Sequence, residues 1–225
     1  MRSSIIGQLI VVLFFVSPMF AAAQSLSTTF VGGNSNVGNM FDIVAQDTIT
    51  ITGFDINCDS TSPVSVSLYA KAGTYVGSET TPSNWTLLDT ADNVSCAGTG
   101  NPTSVPTALS YVVPMGTTHA LYLTLEGPGV EFDDFIYSNG SAVGNVFASN
   151  SELQILEGAG MGIVLFQNPV VPRVWNGTIF YSLGAVSPPP GGGSSTPESI
   201  PTLPPIALGI LILAILLAGW RRKLN

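Results

Sequence analysis

Three groups of side chains in this 225-residue chain have types and spacings that could do chemistry. The first is acidic. Asp55, Asn57 and Asp59 repeat the D-x-N-x-D spacing that opens a calcium loop. The motif then breaks, because Ser60 stands where a glycine must make the turn and Val66 where a bidentate glutamate would close the coordination. In an extended strand these three residues face solvent while Phe54, Ile56 and Cys58 face inward. Glu131, Asp133 and Asp134 form a denser knot between Phe132 and Phe135. Glu131 and Asp133 would share a strand face, with a bend at Asp134, and loop carboxylates of this kind hold structural calcium in many sandwich modules. A solvated acidic loop is the alternative.

The second group is the single imidazole, His119, which follows Gly116-Thr117-Thr118 and begins the apolar stretch from Ala120 to Leu125. That context suits a strand-end residue better than a general base. A secreted hydrolase of the glycosidase type would need two carboxylates facing each other about 5–9.5 Å apart. Fourteen acids supply such pairs by chance, and neither a G-x-S-x-G elbow nor an H-E-x-x-H helix occurs. The chain therefore reads as non-enzymatic. The third group is aromatic: Trp85, Tyr75 and Tyr111 lie near turn-forming residues and could make a stacking platform for a sugar ring. A carbohydrate-binding module is accordingly the alternative function, unless these rings belong to the core.

Cys58 and Cys96 are the only cysteines. In an oxidising compartment an even pair most simply makes one disulfide, which for a loop of this length constrains the unfolded chain by about 4 kcal/mol. Two buried thiols are the other possibility. With one histidine the pair cannot form an ordinary zinc site.

The elements that must position these residues are strands. Helical periodicity is absent between residues 24 and 184; short β-branched and aromatic runs alternate there with clusters of Gly, Asn, Asp, Ser and Pro. The pattern predicts an all-β fold, an antiparallel β-sandwich of jelly-roll-like type. Thr48 to Thr52 alternates with Ile49 and Ile51 inward, and beyond Gly53 the apolar phase shifts to Phe54, Ile56 and Cys58, which predicts a bulge at Gly53. Val64, Val66 and Leu68 share a face, as do Leu121, Leu123 and Leu125. Val174 to Tyr181 reads as one closing strand with apolar residues on both faces.

Both ends of the chain differ from this middle. Arg2, an apolar run from Ile5 to Val16 and the alanines 21–23 have the parts of a secretory signal peptide, residues 1–23, cut after Ala23. Residues 185–199, with three prolines followed by a Gly-Ser stretch, read as a linker. Ile206 to Trp220 is an uncharged apolar run that predicts one transmembrane helix, and Arg221, Arg222 and Lys223 orient its end toward the cytoplasm. At 15 residues it covers about 22 Å, short of the ~30 Å hydrocarbon core. Residues 24–199 hold two basic residues against all fourteen acids, a net charge of −12. That excludes nucleic acid as a partner, since phosphate binding depends on Lys and Arg. The sequons at Asn84, Asn93, Asn139 and Asn176 fit chance in an Asn- and Thr-rich chain.

The tail has a closer likeness. Ile200-Pro201-Thr202-Leu203, an apolar helix and a basic end at the C-terminus resemble the IPTL variety of the PEP-CTERM class of bacterial sorting signals. The resemblance implies a transient membrane anchor, recognised and cut by an exosortase-type processing enzyme, and delivery to the cell surface or extracellular matrix. Pro204-Pro205-Ile206 departs from the usual continuation of that motif, so a permanent membrane anchor stays open beside processing. Segments such as Gly38-Asn39-Met40-Phe41-Asp42, Lys71-Ala72-Gly73-Thr74-Tyr75 and Arg173-Val174-Trp175-Asn176-Gly177 resemble a β-sandwich module of bacterial secreted and surface proteins. This implies a non-catalytic extracellular module. No cofactor is expected, structural calcium at the acidic knot apart. The expected function is an exported structural or adhesive component, its partner a polysaccharide or another surface molecule.

Overall fold

The computed structural model describes residues 23–127, 130 and 134–184. Among them are fifteen strands. In chain order they are β1 (Ala23–Ser27), β2 (Asn34–Asn36), β3 (Gly38–Ala45), β4 (Ile49–Asn57), β5 (Val64–Ala72), β6 (Thr86–Val94), β7 (Pro102–Val105) and β8 (Tyr111–Val113). There follow β9 (Thr118–Glu126), β10 (Phe135–Asn139), β11 (Val146–Ser149), β12 (Leu153–Leu156), β13 (Gly158–Met161), β14 (Val170–Trp175) and β15 (Gly177–Leu183). Residues 1–22 of the expected signal peptide, the linker, the sorting motif at residues 200–203, the apolar run 206–220 and the basic residues 221–223 all lie outside the described residues, as do Glu131 and Asp133, while Ala23, the last residue before the expected cut, begins β1. No helix among the described residues is long and apolar enough to cross a membrane.

The strands make two antiparallel sheets. The smaller runs β1-β15-β4-β7, with β8 also on β4, and the larger runs β2-β10-β14-β13-β3-β9-β5-β6, with β12 and β11 continuing from β3. Alternation drives the pairing: Ile49, Ile51, Phe54, Ile56, Ile179 and Tyr181 of the small sheet meet Phe41, Ile43, Val66, Leu68, Leu121 and Leu123 of the large one in a single buried core. The sheets are therefore sandwich-like, as expected. Trp175 locks them together. Its ring stacks on Phe41 of the same sheet at 4.6 Å and meets Phe54 of the opposite sheet edge-on at 6.1 Å. The bulge falls where the phase shift put it, since Phe180 stands opposite Gly53 and Tyr181 opposite Ile51, leaving Thr52 as the extra residue.

The closing strand is two strands. β14 belongs to the large sheet and β15 to the small one, and the chain crosses between them at Asn176. The apolar residues fall on both faces because the run changes sheets. Asn176 is fully buried and makes the crossing with its amide: Oδ1 accepts from Gly32 N–H at 3.0 Å and Ser138 Oγ at 3.2 Å, and Nδ2 donates to Val174 O at 3.1 Å. Gly177 follows because a Cβ there would lie 2.2 Å from the Trp175 ring and 2.4 Å from Asp55 O. The sequon at Asn176 is thus a structural corner, whereas Asn84, Asn93 and Asn139 are exposed.

The large sheet is covered on both faces. Met40, Ala120, Tyr122, Ala159 and Met161 point away from the main core and are roofed by Tyr75, Trp85 and Phe166 from the loops after β5 and β13. This second core explains why β9 is buried along both faces, which the leucine alternation alone did not require.

Candidate functional site

Of the acidic residues singled out above, Asp59 and Asp134 meet at one pole of the sandwich. Cys58, just past β4, bridges Phe135 of β10, and Asp59 N–H donates to Asp134 O at 2.9 Å. Asp59 and Asp134, 75 residues apart in the chain, are therefore neighbours. Asn57 departs from its expected place: it is fully buried instead of facing solvent. Its Nδ2 donates to Phe30 O at 3.1 Å and its Oδ1 accepts from Gly100 N–H at 3.0 Å, so it ties two loops together. Asp59 is exposed and accepts from Thr99 Oγ1 at 2.6 Å. With Asn57 spent on backbone groups, the D-x-N-x-D spacing cannot present three ligands to one ion. Asp134 is buried. Among the described residues no three His, Cys, Asp or Glu side chains converge as metal ligands.

The same pole carries the disulfide. Cys58 and Cys96 are bonded, with Cα atoms 5.3 Å apart. The bond fastens the end of β4 to the loop between β6 and β7, whose Ala97 N–H is held by Thr103 Oγ1 at 2.8 Å. Loops at 28–33, 58–63 and 95–101 are gathered there, with Val31 82% exposed at a tip. Ala23 pairs with Ser182 at the far end of β15, so both ends of the described domain leave at the other pole.

The sugar platform is not present. Trp85 is 8% and Tyr75 1% exposed; both face the second core, and Trp85 Nε1 donates to Ser78 O at 2.9 Å. Tyr111 lies elsewhere, half-buried against the main core. Tryptophan and tyrosine next to turn residues look alike in sequence whether they roof a sheet or face solvent.

His119 pairs with Tyr111, whose hydroxyl lies 2.6 Å from Nδ1. Burial first, and the charge of Lys71 second, hold its imidazole below the ordinary 6.5. No carboxylate among the described residues is bonded to it. An unfolded histidine takes its proton near pH 6.5, the folded one only at lower pH, so folding loses stability as pH falls from about 6.5 through the folded value. The melting temperature of the native chain is therefore expected to fall more steeply from pH 7.5 to 5 than that of His119→Gln. Equal slopes would refute this. Asp42 acts with the opposite sign at lower pH, and does so in both proteins, because burial raises its carboxyl.

Two carboxylates that the sequence did not single out prove to be buried organisers. Asp42, on β3, accepts from Thr74 Oγ1 at 2.5 Å and Tyr75 N–H at 2.9 Å, fixing the loop that roofs the second core. Glu157 accepts from Ser141 N–H, from Ser141 Oγ at 2.8 Å and from Ala142 N–H at 2.9 Å. Each has its donors far away in sequence, so no local motif marks it. Two hollows flank Leu165: a cavity of about 240 Å³ lined by Val37, Leu125, Glu126, Val130 and Ile163, and an open groove of about 500 Å³ lined by Thr80, Pro82, Phe166, Gln167 and Asn168.

No family model matches the chain, and no curated protein does. Among solved structures it is similar to the VP2 subviral particle of infectious bursal disease virus, at 13% identity over 77% of this chain and 46% of that one, with a TM-score of 0.22. The chain thus spans less than half of that capsid protein's length.

Proposed function

We propose that this protein is an exported, non-catalytic β-sandwich of jelly-roll-like type, sorted to a bacterial surface or extracellular matrix as a structural or adhesive component. One observation supports it above the others: both ends of the domain leave at one pole, while disulfide-tied loops gather at the opposite pole. A tethered domain of this kind presents the stapled loops outward. The disulfide also fits an oxidising, exported setting. His119 bonded to a tyrosine, without a carboxylate partner among the described residues, gives no support to acid–base chemistry. The carbohydrate-binding alternative loses the platform on which it rested. No cofactor is invoked, and calcium at Glu131, Asp133 and Asp134 stays an expectation of the sequence alone.

The tail tests the reading. If Ile200-Pro201-Thr202-Leu203 is a processing signal, protein released from the surface should lack Trp220 and the basic residues after it. Replacing Pro201 and Thr202 by alanine should then leave full-length precursor in the membrane. If the tail is only an anchor, that change should do nothing, because the apolar run and the basic end suffice for insertion and orientation. Mass analysis of the C-terminal peptide decides. Recovery of an intact Asn225 end in surface-released protein would overturn sorting.

A further inference from the structure

The loop between β13 and β14 closes on itself through two backbone bonds, Gly162 N–H to Gln167 O and Gln167 N–H to Val164 O, each 3.1 Å. Ile163 and Val164 are exposed, Leu165 is half-buried, and Phe166 alone turns fully inward. Its backbone sits at φ 59°, a region that a bulky L-residue adopts only under constraint. The ring is thus held in place by what surrounds it.

What surrounds it is a box of rings. The Phe166 centroid lies 5.1 Å from Tyr69, 5.1 Å from Tyr122 and 6.0 Å from Trp85. Those three also brace one another, Tyr69 against Tyr122 at 5.7 Å and Trp85 against Tyr122 at 6.1 Å, so the box does not depend on Phe166 for its shape. Phe166 forms part of the wall of the 500 Å³ groove and stands between that groove and the rings. The surroundings are negative. The Glu126 carboxylate acts on the hydroxyls of Tyr69 and Tyr122, and its Oε1 is buried without a hydrogen-bond partner among the described residues. The two basic side chains of the described domain are engaged elsewhere: Lys71 bonds the carbonyls of Ala72 and Thr74, and Arg173 lies over Tyr137.

We propose that Tyr69, Trp85 and Tyr122 form an occluded aromatic cage, plugged by Phe166, that takes a trimethylammonium group when the 162–169 loop lifts. Aromatic faces attract a cation within about 6 Å of their centroids, and quaternary ammonium groups are the ions such cages hold. The space occupied by one phenyl ring among three others suits such a head group. The two bonds within the loop survive its lifting as a unit, whereas the hydrogen bond between the Phe166 backbone and Tyr122 breaks.

The test compares the full native chain with Phe166→Gly, glycine being the residue that φ 59° suits. Choline and its neutral isostere 3,3-dimethylbutan-1-ol are titrated by calorimetry. The variant is expected to bind choline at least tenfold more tightly than the native chain and at least tenfold more tightly than it binds the isostere. Adding Tyr69→Ala should abolish that binding. An isostere bound as tightly as choline, or no choline binding by the folded variant, overturns the cage. Should Phe166→Gly not fold, NMR of the native chain decides: 100 mM choline, but not the isostere, should shift the ring resonances of Tyr69, Trp85 and Tyr122, and unchanged resonances refute the proposal. Phosphatidylcholine vesicles against phosphatidylglycerol vesicles separate the sources. Free choline bound with or without phosphatidylcholine supports the cage, and failure to bind free choline overturns it whatever the vesicles do.

Discussion

Replacing both Cys58 and Cys96 by serine is expected to lower the stability of the folded domain by about 4 kcal/mol. The bond closes a loop with a sequence separation of 38, long enough for cross-linking to remove much of the unfolded chain's freedom. It also joins the fully buried end of β4 to a loop whose other ties are a few hydrogen bonds. A domain of this size has a total stability of only about 5–15 kcal/mol, so the variant should stand close to its unfolding threshold. Denaturant titration of native and variant chains measures the difference. Reductant should shift the native midpoint toward that of the variant and leave the variant unmoved. A loss under about 1 kcal/mol would show that the loops at this pole hold themselves, against the entropic account.

Trp175→Ala is expected to cost about 3–5 kcal/mol, the range for removing a large aromatic side chain from a core. Trp175 is 1% exposed and touches rings from both sheets, so its loss opens a cavity between them that neither can close alone. Gly177 is already pressed against the ring by the turn at Asn176, which leaves the backbone little room to collapse into the gap. Trp175→Phe should cost far less. The indole Nε1 has no hydrogen-bond partner among the described residues, so phenylalanine gives up no bond and keeps the stacking on Phe41. Thermal unfolding of the two variants side by side tests this. Equal losses would mean that the site needs the indole itself and not a filled volume.

The strand character of the chain, the phase shift at Gly53, the inward faces of β4, β5 and β9 and the pairing of the two cysteines were legible in the sequence. Each rests on a period of two along the chain or on a simple count, and both are local. The crossing at Asn176 was not legible. A strand apolar on both faces and two strands that change sheets have the same residue pattern, and only the partners of Asn176, at Gly32 and Ser138, distinguish them. Asn57 differs from expectation for a related reason. Alternation along β4 turns its side chain toward solvent with those of Asp55 and Asp59, yet a buried amide beside the backbone of Phe30 and Gly100 satisfies two polar groups that would otherwise be stranded.

The aromatic residues divide along the same line. Composition alone determined that the chain had Trp85, Tyr75 and Tyr122 to bury or display, and alternation determined that it would build sheets. Whether those rings faced solvent depended on whether the loops after β5 and β13 folded back over the large sheet. That was decided by Asp42 holding Thr74 and Tyr75, and by Phe166 entering among rings distant in sequence. Side-chain periodicity is a property of neighbours along the chain and can be read there. Burial of a second face is a property of segments tens of residues apart, and it exists only once the sheet they cover has formed.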